Sequence, residues 1–265
     1  MSVLQVEAIN TKVGFADPER DFGVSYGQNR YTGEIHLDTV DLQIRNARLA
    51  PEEDVATRGF TLMKHETKVT DFRDRAQVDA IYDQEVHDLI KEMTGAKKVI
   101  VFHNQLRDNS PTAGKDIRKP AFFAHIDYTE DTFKIRAREL LGDEADHWLG
   151  HRMAAYNIWR GVKPVEEKPL AICDARTVKH TDFVETPIIE KPGEPTPYVG
   201  MPLAYNPAQR WYYYPNMQPD EVLVFKQCDT DHSGIRWSPH VAIDDPYTAN
   251  AQPRVSFEAR ALAFF

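Results

Sequence analysis

A chain of 265 residues with 42% hydrophobic and 28% charged residues has the make-up of a globular protein, long enough for one large domain or two small ones. Its formal net charge of −9 speaks against nucleic acid and anionic membrane surfaces as partners, because both require clustered Lys and Arg. No apolar run approaches the ~18 residues of a transmembrane helix. The opening segment MSVLQVEAINTKVGF lacks the basic n-region and apolar core of a signal peptide, and Cys173 and Cys228 stand far apart without a partner motif. The expectation is a cytoplasmic protein with free thiols, a single disulfide being left open.

In chain order, Gly23 to Leu49 alternates polar and apolar residues between Gly-containing turns and reads as extended or β structure. Ala76 to Gly95 places Val78, Ile81, Tyr82, Val86, Leu89, Ile90 and Met93 at helical spacing, with Gly95 as its stop. KKVIVFHNQ follows as a buried strand. Asp131 to Met153 reads as a helix with a polar face. AAYNIWRGV and PLAICDART read as strands, and ETPIIEKPGEPTP (185–197) as a Pro- and Glu-rich loop, a candidate flap beside a site. RWYYYP and VLVFKQCD form a strand pair across the turn NMQPDE, and PHVAIDDP with PRVSFEARALAFF makes a last pair. Helices early and short strands late predict a mainly β fold with flanking helices, a double-stranded β-helix or jelly-roll barrel. The expected organisation is one domain over 1–265, with an extended and helical region of about 1–97 buttressing a barrel core of about 98–265.

Two His-x-Asp pairs occur, His36 with Asp38 and His125 with Asp127. Residues two apart on a strand share a face, so either pair presents an imidazole beside a carboxylate. A second histidine would complete a 2-His-1-carboxylate triad that leaves positions open on Fe(II). His36 and Asp38 lie in an alternating polar pattern and read as an exposed edge strand. His125 follows the apolar run PAFFA, as expected of a strand entering a barrel. Among the other histidines, His147 and His151 read as a solvated helix face, His232 as an exposed turn and His103 as a hydrogen-bonded core residue. His240 opens a late apolar strand. Beyond it, Arg254, Ser256, Glu258 and Arg260 fall on one strand face, with Val255, Phe257, Ala259 and Ala261 on the other. An arginine and a hydroxyl two apart suit a dicarboxylate, which a guanidinium grips with parallel hydrogen bonds.

The order His-x-Asp, distal His, Arg-x-Ser resembles the Fe(II)/2-oxoglutarate-dependent oxygenases. More narrowly, the chain is similar to a bacterial and fungal hydroxylase/desaturase family that includes gibberellin desaturase-like proteins and the small component of cephamycin 7α-methoxylation. The matching segments are YDQEVHDLIKEMTGAKKVIVFHNQLR, AHIDYTEDT, YNIWRGVKPVEEKPLAICDART, WYYYPNMQPDEVLVFKQCDTD and HVAIDDPYTANAQPRVSFEARALAFF, roughly two-thirds of the chain. The resemblance makes His125, Asp127 and His240 the metal ligands and catalytic set, and Arg254 with Ser256 the clamp on 2-oxoglutarate. In the family NIWR is more often followed by proline, and Gly161 stands there instead.

The implied activity is hydroxylation, desaturation or cyclisation of a small, secondary-metabolite or amino-acid-derived substrate. It uses Fe(II), 2-oxoglutarate and O2, and it releases succinate and CO2. Asn157 is a candidate contact to 2-oxoglutarate, and Arg107, Trp159 and Arg160 are candidate contacts to substrate. The aromatics Trp211 to Tyr214 read as alternating core and surface positions. Two other readings stay open: an iron dioxygenase of cupin type that needs no 2-oxoglutarate, and an accessory component of a two-protein oxidation or methoxylation system. A homo-oligomer or a partner enzyme is equally open.

Overall fold

The computed structural model of the chain describes residues 6–20, 22–23, 25–26, 35–114, 117–189, 192–248 and 251–265. Its strands fall into two facing sheets. The smaller sheet runs, in order, β4 (Phe60–Lys64), β12 (Glu221–Asp229), β7 (Met153–Gly161), β14 (Val255–Phe264) and β5 (Lys98–Asp108). The larger runs β1 (Ala8–Ala16), β3 (Leu37–Asn46), β11 (Trp211–Tyr213), β8 (Leu170–Cys173), β13 (His240–Ala242), β6 (His125–Ile126), β10 (Val199–Pro202), β9 (Thr186–Ile189) and β2 (Ser25–Tyr26). This is the expected jelly-roll plan. Residues before 98 do more than buttress it, since β1 and β3 extend the large sheet and β4 pairs with β12 in the small one.

Alternation on β14 decides which residues face which layer. Phe257, Ala259, Ala261 and Ala263 pack outward with Val78, Tyr82, Val86 and Ile90 of the predicted helix. That helix has three parts, α1 (Arg75–Gln77), a π-helical turn over Val78–Tyr82 and α2 (Asp83–Thr94). The Asp74 carboxylate accepts from the backbone of Ala76 and Gln77 at its start, and Gly95 ends it at φ 69°, a left-handed conformation that glycine adopts freely. Burying the apolar face of the helix stabilises the sheet's outer side by about 25 cal/mol per Å² of apolar surface removed from water.

The segment 131–153 is not one helix. α3 (Glu130–Leu141) ends at Gly142, a short 3-10 turn follows, and α4 (Ala145–Leu149) precedes β7. Thr129 caps α3, its Oγ1 accepting from the Thr132 amide, while Glu130 and Asp131 sit favourably in the first turn. Phe133, Ala137 and Leu141 close one end of the barrel against Met153, Leu262 and Phe264. The expected strand over 169–177 stops at Cys173, where Asp174 caps a 3-10 turn (Ala175–Thr177). The expected loop 185–197 begins as β9, paired with β10 and β2; residues 190 and 191 lie outside the described set. Trp211, Tyr212 and Tyr213 are all buried, so this run serves the core on both faces rather than alternating with the surface. No helix among the described residues is long and apolar enough to cross a membrane. Cys173 and Cys228 are both buried and free.

Gly161 ends β7 opposite Ser256. A Cβ there would sit 2.4 Å from the Lys163 carbonyl oxygen and 2.6 Å from Val165 Cγ2, so the backbone folds back where only glycine leaves room. Gly161→Ala is expected to destabilise the protein by about 1–3 kcal/mol, as overpacking does. The melting temperature should fall by several degrees in a thermal scan; an unchanged value would mean that the close approach is relieved at no cost.

Candidate metal centre

β6 and β13 bring the two candidate histidines together. His125 and His240 are direct cross-strand partners, with ring centroids 4.5 Å apart. β6 is only two residues long, and Asp127 lies just past it, held where its backbone N–H donates to Gln227 Oε1 at 2.9 Å. Among the described residues, His125, Asp127 and His240 form the group whose ligand atoms, one from each, all lie within 4.8 Å of one another. The other His-x-Asp pair forms no such group. Asp38 is exposed on β3, opposite Phe15.

The small sheet supports this triad from the opposite side. Its cross-strand register sets His103, Arg260, Asn157 and Phe225 in one row across β5, β14, β7 and β12. Arg260 Nη2 donates to Asp127 Oδ1 at 2.6 Å, and Asn157 Nδ2 donates to Asp127 Oδ2 at 2.9 Å. The Phe225 ring lies 4.8 Å from that of His240. Burial pushes the Asp127 carboxyl up, but Arg260 and the two imidazoles outweigh it and hold the group well below the usual carboxylate range. Glu258 in turn accepts from Arg260 Nε at 3.0 Å. His125 Nδ1 donates to the Phe123 carbonyl at 2.8 Å, which fixes the tautomer and leaves Nε2 with the lone pair.

Arg254 and Ser256 are buried on the same inner face. Arg254 Nη1 donates to the Lys168 carbonyl, whereas Arg254 Nε and Ser256 Oγ have no partner among the described residues. Burial, and behind it the charge of Arg107, pulls the Arg254 pKa down to about 9. A narrow cleft joins Arg254 and Trp159 to His125 and His240. An unpartnered guanidinium nitrogen at one end of a cleft and the two imidazoles of the candidate cluster at the other fit a keto acid with a second carboxylate, bound to a metal.

The remaining sequence candidates divide by strand face. Trp159 points inward, and the Arg254 guanidinium lies 5.5 Å from its ring centroid. Arg107 lines the cleft and the larger cavity beside it. Arg160 falls on the opposite face of β7, where it donates to Tyr82 Oη, the Pro219 carbonyl and His65. The expectation that Arg160 contacts substrate is therefore corrected, because adjacent residues on a strand face opposite ways. Asn157 spends its amide N–H on Asp127 rather than standing free for 2-oxoglutarate. His103, expected as a hydrogen-bonded core residue, has no partner for its Nε2 among the described residues, and the ring lines the larger cavity. Arg118 and Gln227 were missed. Arg118 stands in a loop without periodicity, and the strand pattern gives Gln227 no mark that separates it from a surface glutamine.

Comparison with known proteins adds to this geometry. Residues 15–264 match a family model described as "Oxidoreductase/YMDC permease-like domain". The chain is 29% identical to the hydroxylase/desaturase efuI of Hormonema carpetanum, covering 100% of this chain and 97% of that protein. It is 32% identical to the alpha-ketoglutarate-dependent dioxygenase phiK of Fungal sp. (strain ATCC 74256), covering 92% and 89%. The chain belongs to the Fe(II)/2-oxoglutarate-dependent dioxygenases. Its fold superposes on the solved iron and alpha-ketoglutarate-dependent endoperoxidase NvfI with a TM-score of 0.88 at 26% identity, covering 98% of this dioxygenase and 99% of NvfI. Fe(II), 2-oxoglutarate and O2 are thus its cofactor and co-substrates, and a small molecule its substrate.

Burial lowers the pKa of His125, and it takes His103 and His240 down to about 3, aided by Arg260 at His103 and by His125 at His240. The fold therefore keeps all three neutral, while the unfolded chain protonates them near the ordinary value of about 6.5. The resulting stabilisation is complete above that value and is lost as pH falls through it toward about 3. Asp127, held low, adds a loss of the same sign below about pH 4. The metal-free dioxygenase is expected to lose about 1 kcal/mol for each of His103 and His240 between roughly pH 7.5 and 5.5 in urea titrations, with His125 adding a loss of the same sign. A midpoint independent of pH over that range would show that the imidazoles are not buried neutral.

Proposed function

We propose that His125, Asp127 and His240 hold the Fe(II) of this dioxygenase and that Arg254 and Ser256 take the far carboxylate of 2-oxoglutarate. The observation that carries the reading is that Arg254, whose buried Nε has no partner among the described residues, shares a cleft with His125 and His240 of the three-residue cluster, with Ser256 two residues on along the same strand face. When bound, Fe(II) with 2-oxoglutarate and O2 supplies the oxidising power, and succinate and CO2 are the co-products.

The chain's own residues do the positioning. Both imidazoles are neutral at physiological pH, so no proton has to leave before they donate to a metal. Arg260 and Asn157 occupy one oxygen each of Asp127 and orient its remaining lone pairs. The hydrophobic rings of Phe123 and Phe225 stack beside His125 and His240 and keep water from their flanks. A cavity of about 420 Å³, lined by His125, Asp127 and Met201 among others, adjoins the triad and offers room for a small substrate to present a C–H bond.

We read the substrate as a small molecule of secondary-metabolite type, in keeping with a hydroxylase/desaturase-like chemistry. All three ligand residues come from one chain, which supports a reaction that needs no second protein to complete the site. Two buried free cysteines accord with a reducing, cytoplasmic setting.

Anaerobic addition of Fe(II) and 2-oxoglutarate is expected to give a visible charge-transfer band. Asp127→Ala should abolish it and stop substrate-dependent turnover of 2-oxoglutarate. An Asp127→Ala protein that still consumes 2-oxoglutarate with substrate would overturn the ligand assignment. Arg254→Met should keep iron binding but raise the KM for 2-oxoglutarate at least about tenfold, the weight of a charge-assisted hydrogen bond. An unchanged KM would place the carboxylate elsewhere.

A further inference from the structure

The cavity beside the triad is basic in a chain that is acidic overall. Four guanidiniums line it, from Arg107, Arg118, Arg136 and Arg260, against the single carboxylate of Asp127. Two of the four are already satisfied. Arg260 is bound to Asp127 and Glu258, and Arg136 pairs with Glu139 at 3.1 Å and lies over the Tyr198 ring. The one carboxylate that Arg107 reaches among the described residues is Glu258, at 3.9 Å, which it shares with Arg260. The Arg118 side chain makes no hydrogen bond or ion pair with the described residues. Its charge is opposed first by burial, then by Arg107 and Arg260, which lower its pKa. An uncompensated, half-buried guanidinium beside two others is costly unless an anion arrives.

The main chain keeps the pair together. Arg107 and Arg118 form an isolated parallel bridge, the Asp108 N–H donates to the Arg118 carbonyl, and Arg107 Nη1 donates to the Lys119 carbonyl at 2.9 Å. At this end of the cavity, three guanidiniums are set against Asp127 in the lining and Glu258 behind it, which leaves one positive charge. Beyond the arginines, the apolar side chains of Phe123, Ile126, Ile188 and Met201 form part of the lining, beside His103, Tyr128 and Thr186.

We propose that the substrate of this dioxygenase is a monocarboxylate on an apolar frame, anchored by Arg118 with Arg107 while its hydrocarbon part reaches the triad. The charge balance favours a carboxylate over a phosphate dianion, and a guanidinium receives a carboxylate with two parallel hydrogen bonds. The proposal rests on the assignment of the triad as the metal site.

Matched pairs of aryl- and cycloalkyl-carboxylic acids and their primary amides serve as probes, followed by ligand-observed NMR and calorimetry. Both the metal-free protein and the protein loaded anaerobically with Fe(II) and 2-oxoglutarate are titrated. Acids should bind at least about tenfold more tightly than their amides. Arg118→Gln should remove that preference and Arg118→Lys keep part of it, while the dependence of the charge-transfer band on 2-oxoglutarate stays as in the wild type. The proposal is overturned if no acid binds better than its amide, or if Arg118→Gln keeps the preference. It is also overturned if Arg118→Gln weakens 2-oxoglutarate binding, which would give Arg118 to the co-substrate. A wild-type protein with no charge-transfer band would sink the metal-site assignment instead, and the metal-free titration would still read the arginines.

Discussion

Arg260 and Asp127 meet at 2.6 Å in the space between the two sheets, and both are almost wholly buried. Neither charge would be tolerated there alone, since a buried ion stripped of its partner costs about 3–5 kcal/mol. Together, and joined by Asn157 and Glu258, they form a polar seam through an otherwise apolar layer of Trp159, Leu223 and Phe225. The seam holds a carboxylate ionised and aimed while it waits for a metal. The two imidazoles above it are treated the opposite way, kept uncharged by the same burial. One dry compartment therefore sets the protonation states that a cation needs from all three side chains.

Strand register explains how a small fold assembles this. The large sheet supplies the ligands from β6 and β13, and the small sheet supplies the supports from β14 and β7. Each support is two residues from the next, so one inward face carries Arg254, Ser256, Glu258 and Arg260 while the other face packs on the helix. Shifting β14 by one residue would turn this row outward and bury alanines against the metal. The helix packed against Phe257 and Ala259 is thus part of what defines the site, although it lies a full layer away.

Much of this could be read from the residues alone. The alternation of RVSFEARALAFF is visible because its two faces differ sharply in polarity, and the helix over 76–95 because its apolar period is sustained and ends at a glycine. His125 and His240 were marked by apolar strands around them. Other features had no such signal. β1 carries Lys12 and Thr11 among its apolar residues, and its partner β3 is remote enough that pairing could not be inferred. Arg160 sits beside Trp159 in sequence, and only the pleat shows that it belongs to the other side. His103 and Arg118 gain their meaning from what surrounds them in space, a cavity that no local pattern encodes. Gly161 answers a steric demand of the chain two residues further on, which no local pattern marks.

The distance along the chain between Arg260 and Asp127, 133 residues, has a further meaning for how the protein is made. β14 lies inside the small sheet between β7 and β5, so a strand that follows both of them in the chain must insert between them. Until it does, Asp127 lacks its cation and the row beneath the triad is missing. A chain still emerging from the ribosome, or one cut short before Arg254, holds the histidines but neither the Arg260 that supports Asp127 nor the guanidinium of the cleft. The support of the cluster is thus completed together with closure of the barrel.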